Sequence, residues 1–470
     1  MLRFLKLSWI ALFLACGCVP ALADQGPVGR PNIIFILADD LGYGDVGCYG
    51  QKRIQTPNID RLAKEGMRFT DFYAGSTVCA PSRCVLMTGY HTGHCLIRGN
   101  AKDNLRPEDV TLAEVLKIAG YSTALFGKWG LGHEGSTGVP TKQGFDQFFG
   151  YLDQGHAHNY YPAFLMSGVK RIPLRNEVPP GATEFGSGVA TKKIDYSHDL
   201  IAEKSIGFLR SQKSAAKPFF MYLAFTTPHA NNEAGKAGME VPDYGPYAKT
   251  DWPEPQKGHA AMVTRMDADI GRVLAILNEQ GQEDSTLIFF SSDNGPHREG
   301  GADPDFNDSS GPLRGTKRDL TDGGIRVPFI ARWPGKIAAG STSHFVGGFQ
   351  DVLPTLAELT DSTMQVPTDI DGLSILPTLL SQPAKQKQHD YLYWAFYEGN
   401  RAGQAVRIGN YKAIEQPKGS NLRVYDLAVD VGEQKDLAAQ NPDIVGKAKD
   451  AMAKANRPSE RWKFPSTNRN

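Results

Sequence analysis

Residues 32–40 read Asn-Ile-Ile-Phe-Ile-Leu-Ala-Asp-Asp (NIIFILADD), and this stretch decides the fold. Ile33 to Leu37 are consecutive apolar residues, as in a short strand buried on both faces. The run then stops at two aspartates, Asp39 and Asp40. Downstream, Thr56-Pro57 reads as a helix N-cap and first helical residue, with Ile59, Leu62 and Ala63 as the apolar face and Gly66 as the close. Met67 to Tyr73 is strand-like. Leu112 to Ala119 is helical and halted by Gly120, and Tyr121 to Phe126 returns to strand. A helix over Ser197 to Arg210 precedes Phe219 to Phe225 (FFMYLAF), and a longer one over Ala260 to Asn278 precedes Thr286 to Ser291 (TLIFFS). Such alternation predicts an α/β fold, with a large, mainly parallel sheet flanked by helices. After about Pro383 the character changes. Short strands at Tyr391–Phe396, Ala405–Ile408, Tyr411–Ile414 and Leu422–Tyr425, then a helix over Ile444–Ala455, predict a smaller C-terminal antiparallel sheet with a helix. The expected division is a leader over 1–23, a catalytic domain over 24–380 and a smaller domain over 381–470, with a loose polar tail from Arg457.

The chain has 470 residues, 51 Lys+Arg against 51 Asp+Glu, and 41% hydrophobic residues. That balance excludes wholesale disorder and argues against a nucleic-acid partner, which calls for a basic excess. Arg3, Lys6, the apolar run Leu7–Ala15 and Ala21-Leu22-Ala23 read as a secretion signal cleaved near Ala23. The run is too short to span a bilayer. A secreted or periplasmic protein without stable membrane insertion is expected. Phe13, three residues before Cys16, makes a poor lipobox, so a lipoprotein is the lesser reading. Cys48, Cys79, Cys84 and Cys95 remain, and an oxidising compartment predicts one or two structural disulfides among them.

The strong strand runs lead into polar residues: Asp39 and Asp40, then Lys128, then His229, then Asp293 and Asn294. Ligands of open α/β sheets bind at the carboxyl ends of strands, so these segments are expected to share one crevice. Asp39, Asp40, Asp293 and Asn294 offer only oxygen, which favours Ca2+ or Mg2+ over Zn2+. Three clustered carboxylates would repel one another without a cation. Cys79-Ala80-Pro81-Ser82-Arg83 precedes a helix expected to open near Ser82, where an anion would dock and Arg83 could hold it bidentately. Two patterns are decoys. Gly42-x-Gly44-x-x-Gly47 fits a dinucleotide fingerprint, yet no helical period follows before Thr56. Gly127-Lys128 mimics the end of a phosphate loop, but Trp129 stands where Ser or Thr is needed.

Cys79 to Arg83 resembles the sulfatase signature C-x-P-S-R, and further segments match that family in order. They are Asn32–Gly47, Gly127-Lys128-Trp129, Ser292-Asp293-Asn294-Gly295, Leu313–Lys317 with Gly323–Pro328, Asp371–Ser374 and Tyr425-Asp426-Leu427. The resemblance covers nearly all the chain after the leader, in the manner of arylsulfatase A and galactosamine-type sulfatases. It implies an alkaline-phosphatase-like fold and hydrolysis of sulfate esters, aryl or carbohydrate. It implies that a maturation enzyme converts Cys79 to Cα-formylglycine, whose hydrate attacks sulfur. It implies Ca2+ on Asp39, Asp40, Asp293 and Asn294, with residue 79 beside it. Lys128, Lys317 and His229 would contact the sulfate, Lys317 or His229 would protonate the leaving oxygen, and Arg83 would stabilise the diol. One departure stands out: the family usually carries His after Gly-Lys-Trp, where it serves the diol, and here that position is Gly130. His133, His156 and His158 are the nearest candidates to replace it. His156 and His158 lie in a polar and aromatic stretch, Gln154 to Tyr161, that could line a sugar pocket. The rival readings are a phosphoester or phosphonate hydrolase of the same superfamily, and a carbohydrate-binding pseudo-sulfatase.

Overall fold

The computed structural model describes residues 29–179 and 186–464; the expected leader lies outside the described residues. Its centre is the strand Asn32–Ala38, whose Ile33 to Leu37 side chains are almost wholly enclosed. Phe219–Ala224 and Thr286–Ser292 flank it in parallel, register Ile33↔Phe220 and Ile33↔Leu287. Ser122–Lys128 and then Gln147–Tyr151 extend the parallel order. The ten-stranded sheet is completed on one flank by Phe329–Arg332, antiparallel to Thr286–Ser292, then Met67–Phe69, antiparallel to it, and Ser341–Ser343, and on the other by the antiparallel Phe164–Ser167 and Lys170–Pro173. Helices cover both faces, so the apolar side chains of each strand pack into two separate cores. Leu392–Phe396, Gly403–Ile408, Tyr411–Glu415 and Arg423–Asp426 form the smaller antiparallel sheet, backed by the helix Pro442–Ala455. Among the described residues no helix is long and apolar enough to cross a membrane.

The structure alters several local expectations. The signature helix spans Cys79–Thr88 and so opens three residues before Ser82. Gly66 does not close its helix through a left-handed turn, since its φ is −136°. A Cβ there would lie 2.3 Å from the Ala331 carbonyl oxygen, so close backbone approach accounts for the glycine. Met67–Tyr73 divides into Met67–Phe69 and Phe72–Tyr73, which join different sheets. The chain after Arg457 is anchored as far as it is described: Arg457 N–H donates to Gly93, and Trp462 Nε1–H donates to the Leu96 carbonyl at 2.9 Å. The disulfide expectation is also corrected. Cys48, Cys79, Cys84 and Cys95 are all free thiols. A core of this size closes without such a link.

Candidate active site

Parallel order brings the carboxyl ends of four strands to one sheet edge, and the loops leaving them meet there. Asp39 and Asp40 follow the central strand, and Asp40 takes a positive φ of 64°. That turn lets Asp40 N–H donate to Asp293 Oδ1 at 3.1 Å, tying the two acidic loops together. Asn294 Nδ2 donates to Asp40 Oδ1 at 2.6 Å, while Asn294 Oδ1 is buried with no partner. Lys128 ends its own strand and reaches Asp39 Oδ2 at 2.7 Å. The glycine before it, Gly127, takes φ +118°, and a Cβ there would lie 1.8 Å from the Ala224 carbonyl oxygen of the next strand. That close approach, rather than phosphate binding, explains the apparent phosphate loop. Gly42 and Gly44 likewise admit the Ser309 and Asp308 backbone and lead into short 3-10 turns, not a helix.

Cys79 opens the signature helix, buried, and its thiol donates to Asp39 Oδ1 at 3.3 Å. In the first turn of that helix the Ala80 N–H donates to Asn100 Oδ1 at 3.0 Å. One turn on, Arg83 is fully enclosed. Its Nε and Nη2 donate to Asp293 Oδ2 at 3.0 and 2.8 Å, and its Nη1 donates to the Lys128 carbonyl at 2.6 Å. Arg83 therefore fixes two walls of the crevice. Lys317 Nζ meets Asp40 Oδ2 at 2.8 Å, Glu299 Oε2 at 3.0 Å and His229 Nε2 at 3.2 Å. His229 Nδ1–H donates to the Ala230 carbonyl at 2.7 Å, which leaves the Nε2 lone pair facing Lys317.

The electrostatics follow from this crowding. Burial pushes the Cys79 thiol well above its ordinary range, and the Asp39 charge adds to it. An unmodified thiolate nucleophile is thereby disfavoured at neutral pH. Burial would raise Asp39, but the charges of Lys128 and Arg83 outweigh it and hold that carboxyl far below the usual range. Asp293 goes the other way: burial, then the charges of Asp39 and Asp40, push it up to about 7 against the opposing Arg83. Burial lowers His229 well below an ordinary histidine, and Lys317 lowers it further. Burial opposes the charge on Lys317, yet Asp40 and Glu299 keep the ammonium protonated. The oxygen set fits a hard cation: four oxygen-donor side chains, one carboxyl forced upward by its neighbours, and an orphaned Asn294 Oδ1 turned away from its amide's bonds.

Of the expected residues, Asp39, Asp40, Cys79, Arg83, Lys128, His229, Asp293, Asn294 and Lys317 occupy this crevice. His158 stands at its mouth. Its ring stacks on His229 (centroids 4.9 Å apart, 14° between planes), and its Nδ1 lies 3.2 Å from Glu233. The substrate-binding role expected of His156 is corrected, because that ring is buried between Tyr151 and Phe164, and burial pushes it down to about 3. His133 sits on a separate turn, where its backbone N–H donates to Ser136. Glu299 is not among the residues the sequence singles out, although it lies only five residues beyond Asn294 on the second acidic loop. It bridges Lys317 and Arg318, at 3.0 and 2.6 Å. A cleft of about 720 Å3 opens beside Lys317, lined among others by Glu299, Arg314, Arg318 and Arg401.

Comparison with known proteins adds a second line of argument. The family model described as Sulfatase matches residues 31–362, and one described as N-sulphoglucosamine sulphohydrolase, C-terminal, matches residues 316–457. Arylsulfatase A of Homo sapiens is 35% identical over 426 residues, covering 85% of this chain and 78% of that protein. N-acetylgalactosamine-6-sulfatase of Rattus norvegicus is 33% identical over 421 residues, covering 85% and 73%. The crystal structure of Ps i-CgsB in complex with k-i-k-neocarrahexaose superposes with a TM-score of 0.77 at 26% identity, covering 93% of this chain and 96% of that one.

Proposed function

The chain belongs to the sulfatase family and is a sulfuric ester hydrolase, and from that premise we propose that it acts on sulfated carbohydrate with Ca2+ and a Cα-formylglycine made from Cys79 by a maturation enzyme. The carrying observation is the convergence of Asp39, Asp40, Cys79, Arg83, Lys128, His229, Asp293, Asn294 and Lys317 on one sheet edge. Loaded in this way, the site would gain the nucleophilic hydroxyl of the hydrated aldehyde and a cation that offsets negative charge on the sulfate.

The chain's own residues do the rest. Lys128 on Asp39 and Lys317 on Asp40 are each an ammonium held charged by a carboxylate, and so form a preorganised cradle for sulfate oxygens. Arg83 keeps that cradle rigid by binding Asp293 and the Lys128 carbonyl together. At the leaving-group corner His229 Nε2 offers a lone pair and Lys317 Nζ carries the protons. Lys317 is therefore the proton donor to the departing oxygen, and His229 orients it. His158, stacked on His229, forms the wall toward the organic part of the substrate. The carbohydrate assignment is supported by the names of the relatives: a galactosamine sulfatase, and a structural neighbour bound to a neocarrahexaose. The basic start, apolar run and Ala-x-Ala site of residues 1–23 support export to the periplasm or outside the cell.

The test joins peptide mass spectrometry of residue 79 to a rate panel of sulfated galactose, galactosamine and glucosamine units, an aryl sulfate and an aryl phosphate. We expect the aldehyde at residue 79 and the highest kcat/KM on a sulfated sugar. Sulfate release by protein that carries only the thiol would overturn the formylglycine assignment. Aryl phosphate outrunning every sulfate ester would overturn the substrate assignment.

A further inference from the structure

The Ser122–Lys128 and Gln147–Tyr151 strands stay zipped beyond their ends, for Trp129 N–H donates to the Tyr151 carbonyl at 2.9 Å and Gly130 N–H to the Leu152 carbonyl at 3.0 Å. The segment after Tyr151 therefore leaves the sheet beside Lys128. It ends beside His229, where His158 stacks and where the Tyr160 hydroxyl donates to the His229 carbonyl at 2.6 Å. Gln154 lies midway along this wall. Its carboxamide fills the space over Gly130: a Cβ at residue 130 would lie 1.9 Å from Gln154 Nε2 and 2.9 Å from its Cδ. Gly130 has φ +79°, and having no side chain is what admits the amide.

The amide is only half satisfied. Nε2 reaches the Gly130 carbonyl at 3.5 Å, and Oε1 is buried without a partner among the described residues. Reversing the amide would set Oε1 against that carbonyl oxygen, so the oxygen faces away from Gly130. The nearby cradle supplies donors, as sulfate oxygens require. An acceptor does not suit sulfate, which brings no proton, and what it suits is a hydroxyl.

We propose that Gln154 is the hydroxyl-accepting group of the sulfate pocket, occupying from the neighbouring segment the place that a side chain at residue 130 would otherwise fill. This inference rests on the sulfatase reading above. The hydroxyl comes either from the substrate's sugar ring or from the hydrate at residue 79, and the experiment separates the two.

Gln154→Met keeps the volume without the acceptor, and Gln154→Glu keeps the acceptor. In fully loaded enzyme the Met variant is expected to lose about tenfold or more in kcat/KM on the best hexose sulfate. The Glu variant is expected to recover most of that loss only above the carboxyl pKa, which gives its rate profile an acid limb that the parent lacks. In a Cys79→Ala background, which cannot be loaded, calorimetry reads affinity for the same hexose sulfate and for inorganic sulfate. A tenfold loss for the hexose sulfate alone on Gln154→Met identifies the sugar hydroxyl. Unchanged affinities, with the kinetic loss extending to an aryl sulfate that has no hydroxyl, identify residue 79. Gly130→Ala, which pushes the amide aside from its own segment, should reproduce whichever pattern appears. Met and Glu variants with equal rates at every pH, or Met indistinguishable from wild type, would overturn the proposal. Wild-type protein that carries the aldehyde and spares every sulfate ester would instead refute the sulfatase reading and leave the Gln154 assignment to the affinity measurement.

Discussion

Lys317 is one ammonium with three partners, and its behaviour hangs on which of them keep their charge. Asp40 would be shared with the proposed cation, so Glu299 becomes the carboxylate on which the Lys317 proton depends. Burial works to raise Glu299, but the charges of Lys317 and Arg318 hold it down to about 2, so it stays ionised across the working range. Glu299→Gln removes that charge with little change of shape. Lys317 then loses protons at lower pH, the alkaline limb of kcat/KM moves toward neutral, and the rate falls about tenfold. A pH–rate profile of the variant checks it; an unmoved alkaline limb would show that Asp40 alone governs Lys317. Glu299 was illegible in the sequence because nothing in a linear string pairs it with a lysine eighteen residues on. Asp39, Lys128 and Asp293 were legible because each sits where a continuous apolar strand stops, and strand ends are where parallel sheets collect ligands. His156 misled for the converse reason. A histidine two residues from His158 shares its composition but not its side of the loop, and Tyr151 and Phe164 enclose it.

Elements differ in how much of their placement the sequence carries. Phe219–Ala224 and Thr286–Ser292 announce themselves as long apolar runs after helices, and both run parallel to the central strand. Phe329–Arg332 is four residues long, and nothing in so short a run records that it pairs antiparallel. The smaller sheet was legible as strands, but its docking was not. That docking is polar and enclosed: Lys412 Nζ meets Asp322 at 2.6 Å and Glu433 at 3.1 Å, and Arg407 Nη1 meets Asp71 at 2.9 Å and the Tyr73 hydroxyl at 2.7 Å. Around it, Trp394 packs on Tyr73 and its Nε1–H donates to the Ala74 carbonyl. Burial, opposed by Lys412 and joined by the Asp322 charge, pushes Glu433 up to about 7. Lys412→Met strands two buried carboxyls without their shared cation. It should destabilise the protein by about 3–5 kcal/mol, read as a lower urea midpoint. An unchanged midpoint would mean that the apolar contacts around Trp394 hold the sheet by themselves.

For the molecule as a whole, the acidic loops gather their charges at the centre of the sheet, where neither sequence distance nor water can dilute them. Asp39, Asp40 and Asp293 come from strand ends 253 residues apart, as the Asp40–Asp293 bond records. A single bound Ca2+ would therefore fasten two halves of the core, and its removal should cost global stability as well as activity. At a free concentration of 100 times Kd, a ligand of the folded state stabilises by about 2.7 kcal/mol, enough to move the melting midpoint by several degrees. The sign with pH follows from Asp293. In the cation-free fold its carboxyl is pushed up to about 7, from 3.8 in an ordinary chain. Between those values the folded protein holds a proton that the unfolded chain has released, so cation-free stability falls as pH rises through this window. Asp39 is held far below that window and does not titrate within it. The cation keeps Asp293 ionised and removes the penalty, so Ca2+ should raise the melting midpoint more at pH 8 than at pH 5.5. Differential scanning of EGTA-treated protein with and without Ca2+ at both pH values measures this directly. Mg2+ should restore less, because it surrenders its waters reluctantly to an all-protein oxygen cage. Equal Ca2+ shifts at the two pH values would mean that Asp293 already carries its charge in the cation-free fold, with Arg83 outweighing burial and the neighbouring carboxylates.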